Sequence, residues 1–489
     1  MLRVFPRRVL LLLLVLLLAG CGGAPADVGP ALALAPCQIG APGLAERVAA
    51  RCGTLAVFED RAAARGRTIE LRVAVVPAVS RTPAADPLFF LAGGPGQSAI
   101  DSYPLLAAAL KPINRQRDIV LVDQRGTGGS HPLRCAAFER ELSAPDEREI
   151  AAQARECLAQ LGADPWLYTT AQAADDLDQA RAARSYGQIN LYGVSYGTRL
   201  ALTDKGQHGG EVRAALLDGV VPQDAALGLA VAPDAQRALD MIFARCAAEP
   251  ACAAAFPNVG GEFAELLARL DRQPAKLSVA HPLTGAPTDV TFTREMLASS
   301  VRLLSYAPET AALLPLLIHS AYATGDTRLL AAQALLVSQQ LGQSISGGLN
   351  LAVLCAEDVP FFGEPAGAGA GYLGAGSLAQ LRAACAAWPA GAVAPDFKQP
   401  VASDVPVLLL SGEADPVTPP ANAERAAATL RNSMQLVAPG QGHNVLPRGC
   451  LPRLAAEFVE RASVAGLDTA CVADIRAMPF FTSFAGTEP

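Results

Sequence analysis

The stretch Ile189-Asn190-Leu191-Tyr192-Gly193-Val194-Ser195-Tyr196-Gly197 decides how this chain is read. A short apolar run of this length and composition predicts a buried strand. A helical pattern, Thr198–His208, follows at once. Between them stands Gly-Val-Ser-Tyr-Gly, a G-x-S-x-G turn in the strand–turn–helix setting that the nucleophile elbow requires. Such a turn forces Ser195 into strained backbone angles. It needs small residues two positions to either side, because side chains there would meet neighbouring structure. The result is a serine hydroxyl held out at the end of a strand, with the free amides of a helix start beside it.

Working outward, further short apolar runs predict strands at Ile69–Val76, Leu88–Leu91, Ile119–Val122, Ala214–Leu217, Val407–Leu410 and Met434–Val437. Helical patterns lie between several of them, for example Ala171–Ala183. Strand, turn and helix in alternation predict an α/β fold with a mainly parallel sheet covered by helices on both faces. Ligands of such sheets bind beyond the carboxyl ends of the strands. The alternation breaks between 221 and 400, where the patterns are mostly helical, and resumes at Val405. We therefore expect a first core part at 37–220, a helical cap inserted at 221–400 and a second core part at 401–489. The Ala/Gly stretch Ala366–Gly376 reads as a loop.

A serine hydroxyl is a weak nucleophile without a base. Of the five histidines, His443, in Gly440-Gln441-Gly442-His443-Asn444 after the last strand, occupies the position expected in the chain order serine, acid, histidine. His131 is the rival. The orienting acid should follow a strand and precede His443. Asp415 in Ser411-Gly412-Glu413-Ala414-Asp415-Pro416-Val417-Thr418 is the choice, with Glu413 as local alternative. Acyl transfer also needs donors for a developing oxyanion. The glycines after Leu88–Leu91, in Ala92-Gly93-Gly94-Pro95-Gly96-Gln97-Ser98, let bare backbone approach a substrate. An amide of Gly93 or Gly94 together with that of Tyr196 would supply the hole. The loop completes neither phosphate-binding glycine pattern. Asp123-Gln124-Arg125-Gly126 reads as a structural corner.

The amino terminus is a separate object. Arg3, Arg7 and Arg8 precede the apolar run Val9–Leu18, which is too short to span a bilayer but fits a secretory signal at 1–20. Leu18-Ala19-Gly20-Cys21 resembles the lipobox of bacterial lipoproteins. That resemblance implies an acylated Cys21 anchored in a lipid bilayer of the cell envelope, with 21–36 as a tether. The chain has 489 residues and 11 cysteines; without Cys21 an even ten remain. In an exported protein these predict disulfides. Shorter loops close more often, so neighbours are expected to pair: Cys37 with Cys52, Cys135 with Cys157, Cys246 with Cys252, Cys355 with Cys385, Cys450 with Cys471. Metal-ligand spacings are missing, so no metal is expected. The net charge is −7 and the basic residues are scattered, which predicts no nucleic-acid partner.

Taken in order, Gly93-Gly94-Pro95-Gly96, Asp123-Gln124-Arg125-Gly126, Gly193-Val194-Ser195-Tyr196-Gly197, Gly412-Glu413-Ala414-Asp415-Pro416-Val417-Thr418 and Gly442-His443 resemble the prolyl-aminopeptidase branch of the α/β-hydrolases, and above all its secreted members similar to tripeptidyl aminopeptidases. The resemblance runs from about Cys52 to Cys471. It implies an α/β-hydrolase fold with a helical cap, a triad of Ser195, Asp415 and His443, hydrolysis of short N-terminal peptide units and no metal or organic cofactor. Ala92 stands where prolyl aminopeptidases carry a histidine, which argues against strict proline specificity. An exopeptidase must also hold its substrate's free amine. Glu357, in Cys355-Ala356-Glu357-Asp358, resembles a family element and is nominated for that role; two solvated acids beside a disulfide are the alternative. An aminopeptidase acting on peptide or small-molecule substrates is the first functional reading. A lipase or esterase with the same triad is the second, and a catalytically dead envelope scaffold the third.

Overall fold

The computed structural model describes residues 32–136, 146–363 and 371–486. The expected signal segment, Cys21 as the expected lipidation site, most of the expected tether and residues 366–370 of the Ala/Gly stretch lie outside the described residues. The strands are β1 (Ala35–Ile39), β2 (Val48–Phe58), β3 (Thr68–Val76), β4 (Leu88–Leu91), β5 (Ile119–Val122), β6 (Ile189–Val194), β7 (Val212–Asp218), β8 (Ala275–Ala280), β9 (Pro287–Phe292), β10 (Val407–Gly412) and β11 (Ser433–Ala438). Nine of them form one sheet in the order β1-β2-β3-β5-β4-β6-β7-β10-β11. From β5 to β11 every neighbour is parallel, while β1, β2 and β3 add an antiparallel edge.

The central strands are short because they are buried on both faces. Leu88–Leu91 and Ile119–Val122 have no exposed residue. One face packs on the helices Thr170–Ala183, Tyr196–Gln207 and Pro420–Ala427. The other packs on Ala99–Asn114 and Leu451–Arg461. All seven strands expected from the sequence belong to this sheet. Two more, β1 and β2, extend it, stapled to each other by Cys37–Cys52. Apolar residues at exposed positions, Ala49, Ala56 and Phe58, hide the alternation of β2 from a periodicity search.

Between β7 and β10 the chain leaves the sheet and builds a mostly helical insertion with its own apolar core. It also contains the two-stranded β8–β9 hairpin, which the sequence reading did not expect. The insertion is fastened at its root. Arg199, fully buried on the helix Tyr196–Gln207, donates to Asp358 at 2.9 Å and to Ala225 O at 2.6 Å. Lys398 donates to the same two residues at 2.9 and 2.6 Å. The other cysteines pair as Cys135–Cys157, Cys246–Cys252, Cys355–Cys385 and Cys450–Cys471. Among the described residues no helix is long and apolar enough to cross a membrane.

Candidate active site

Ser195 sits between β6 and the helix Tyr196–Gln207 with φ 55° and ψ −123°. The flanking glycines show why the turn takes no side chains. A Cβ on Gly193 would lie 2.4 Å from Gly197 O, and one on Gly197 would lie 2.2 Å from Leu91 O. The Ser195 amide donates to Asp218 O at 2.8 Å, tying the elbow to the end of β7. The next residue, Gly219, backs onto the imidazole of His443: a Cβ there would lie 2.9 Å from its Cε1. The histidine ring therefore lies beside the turn that holds the serine.

Asp415 and His443, the expected acid and base, come from the turns after β10 and β11. His443 Nδ1 is 2.8 Å from Asp415 Oδ2. Asp415 is fully buried, and its Oδ1 accepts the amides of Val417 and Thr418 at 2.8 and 2.9 Å. Thr418 Oγ1 donates to Oδ2 at 2.9 Å and lies 3.2 Å from His443 Nδ1. Burial works against ionisation of Asp415, but His443 and these donors outweigh it and hold the carboxyl below its ordinary value. Glu413 is exposed and accepts the Gly440 amide, so it does not face the histidine. The His443 amide donates to Tyr306 O at 2.7 Å, and the Tyr306 ring stands edge-on to the imidazole. Asp218 was not singled out from the sequence. Its carboxylate is fully buried and accepts the amides of Val445 and Leu446, both at 2.9 Å, just after the histidine. His131 stacks instead on Tyr168.

The loop at Gly93 and Gly94 adjoins the serine. A Cβ on Gly93 would lie 3.1 Å from Ser195 Cβ. Asp123 shapes this loop from below, accepting from Ser98 Oγ at 2.7 Å and from the amides of Ile100 and Gly129. Arg125 is fully buried and forks onto Asp176 at 2.6 and 2.8 Å. Both residues anchor structure. Tyr196 opens the helix, where the first amides have no carbonyl partner within the helix.

Glu357, nominated to hold the substrate amine, is fully buried, and both of its oxygens accept from Thr170: Oε1 the amide and Oε2 the hydroxyl, each at 2.6 Å. Burial pushes its pKa up to about 7, against the pull of Arg199 and Thr170. Among the described residues, no group of three or more His, Cys, Asp or Glu side chains could hold a metal ion.

Residues 372–471, which carry both Asp415 and His443, match the family of TAP-like proteins. The family match covers this segment, and the chain around it folds as an α/β-hydrolase. It is 29% identical over 235 residues to the serine protease Hip1 of Mycobacterium tuberculosis, covering 43% of this chain and 45% of Hip1. It is 30% identical over 190 residues to a tripeptidyl aminopeptidase of Streptomyces coelicolor, covering 35% of each. It is 30% identical over 224 residues to carboxylesterase B of M. tuberculosis, covering 42% of this chain and 43% of that enzyme. The matches span less than half the length of these relatives.

Proposed function

We propose that this protein is an exported serine aminopeptidase that removes amino acids or short peptides from the N-terminus of its substrates. The observation that carries the reading is the buried Asp415–His443 pair set beside an elbow serine in a strained conformation. His443 takes the Ser195 proton as the hydroxyl attacks the scissile carbonyl, while Asp415 fixes the tautomer and steadies the imidazolium. The amide of Tyr196 and one from Gly93 or Gly94 receive the charge on the carbonyl oxygen. The leaving amine takes the proton from His443, and water activated by the same base then releases the acyl group. Two relatives with peptidase names support this choice, and the five disulfides fit an oxidising compartment. Anchoring through an acylated Cys21 belongs to the same proposal and rests on the sequence.

An esterase is the second reading, favoured by the carboxylesterase relative. A panel of aminoacyl, prolyl, di- and tripeptidyl amides, with free or acetylated amines, and of short acyl esters separates the two. Free-amine amides should be cleaved by the wild type and left intact by Ser195→Ala. Turnover of esters alone would refute the peptidase reading.

A further inference from the structure

We propose that Glu357 and Thr170 are positioning residues that set the oxyanion amide of Tyr196 through its side chain. This rests on the preceding assignment of that amide to the oxyanion hole. Tyr196 faces two ways. Its main chain lies next to Ser195, while its ring is buried in the core, 1% exposed, beneath the elbow. A phenol hydroxyl at that depth needs partners. It finds Thr170 Oγ1 at 2.7 Å and Gln124 Nε2 at 3.2 Å.

The proton order follows from what each group can do. Thr170 has one hydroxyl proton, and with Glu357 ionised a carboxylate oxygen 2.6 Å away takes it. Thr170 Oγ1 must then accept the Tyr196 proton, and the Tyr196 oxygen accepts from Gln124. The chain runs Gln124 to Tyr196 to Thr170 to Glu357 with every proton placed. It draws on four separate parts of the fold: the turn after β5, the first residue of the helix Thr170–Ala183, the nucleophile helix, and the end of the insertion helix Gly347–Glu357. The insertion thereby reaches the catalytic floor through one carboxylate. The charges facing that carboxylate are Arg199 at 3.9 Å, Asp358 and Lys398, and the two bases balance the two acids. A glutamine at 357 has one acceptor for the two Thr170 donors, so its NH2 faces either the Thr170 amide, a clash of donors, or the hydroxyl, which reverses the chain.

The test is the second-order rate at which a small alkyl fluorophosphonate labels Ser195. The probe carries no amine, so lost amine binding cannot slow it, and its phosphoryl oxygen uses the oxyanion hole whatever the natural substrate is. Glu357→Gln, Thr170→Val and Tyr196→Phe should each slow labelling about tenfold. Thr170→Ser should restore the rate to within about twofold, and Glu357→Gln with Tyr196→Phe should be no slower than either alone. Circular dichroism identifies the folded variants, and Tyr196→Phe removes only a hydroxyl, so at least one arm keeps its core packing. Wild-type labelling rates in folded Thr170→Val and Tyr196→Phe would overturn the relay and leave the serine assignment standing. Multiplying effects in the double variant would do the same. A wild type that is not labelled at Ser195 would overturn both.

Discussion

Thr418→Val tests how the acid is held. The two side chains have nearly the same shape, so the change removes a hydroxyl without opening a cavity. Asp415 accepts four hydrogen bonds: the Val417 and Thr418 amides on Oδ1, and His443 and the Thr418 hydroxyl on Oδ2. Valine deletes one and leaves a fully buried carboxylate leaning on the histidine alone at that oxygen. A hydrogen bond to a charged group contributes roughly 1.5–3 kcal/mol. About 2 kcal/mol, spent wholly in the transition state, corresponds to roughly a 30-fold slower reaction. Fluorophosphonate labelling of Ser195 together with urea unfolding measures both sides of this sum. We expect labelling to fall by about 10- to 30-fold, stability to drop by at most about 2 kcal/mol, and Thr418→Ser to recover most of both. A Thr418→Val protein with wild-type labelling and wild-type stability would show that the hydroxyl contributes nothing, and that the two amides and His443 hold the acid.

Two further changes probe the frame. Gly197→Ala places a methyl group 2.2 Å from Leu91 O, which is backbone and cannot swing aside; it should yield no soluble folded protein, and a folded, labelled variant would disprove the stated packing. Asp204 is buried near Asp178, and burial first, then that neighbour, lifts its pKa from 3.8 to about 8. Folding therefore favours the protonated form, and stability is lost as pH rises from about 4 to 8, on the order of 5 kcal/mol by linkage. Asp204→Asn should unfold at a higher temperature than wild type at pH 8 and at the same temperature at pH 4; parallel melting curves at both would remove the effect.

What could be read from the sequence was what is local. The elbow is one turn whose glycines are needed by their immediate neighbours. The central strands advertise themselves because burial on both faces leaves them uniformly apolar. β2 was missed because Val48–Phe58 carries apolar residues on its exposed face too, Ala49, Ala56 and Phe58, so its alternation of buried and exposed positions does not show as apolar against polar. The β8–β9 hairpin was missed because half of its side chains are exposed, among them Lys276 and Thr291, and only Val279, Val290 and Phe292 are buried. The partners of the site are harder still. Thr170 meets Glu357 across 187 residues of chain, and Asp218 meets Val445 across 227. No spacing rule reaches so far. Glu357 was noticed for its motif, but its complete burial depends on elements that only the fold brings together. Thr418 lay inside a quoted motif and was passed over because a hydroxyl three residues after an acid is an ordinary turn feature.

The fastening at the root of the insertion has a consequence for traffic. Arg199, Asp358, Lys398 and Ala225 O bind the place where the chain leaves the sheet domain to the place where it returns. Swinging the whole insertion away would break these charge-assisted hydrogen bonds, each contributing roughly 1.5–3 kcal/mol. At about 4 kcal/mol only roughly one molecule in a thousand would stand open at any instant. Any opening of the insertion is therefore hinged beyond its root and not at it.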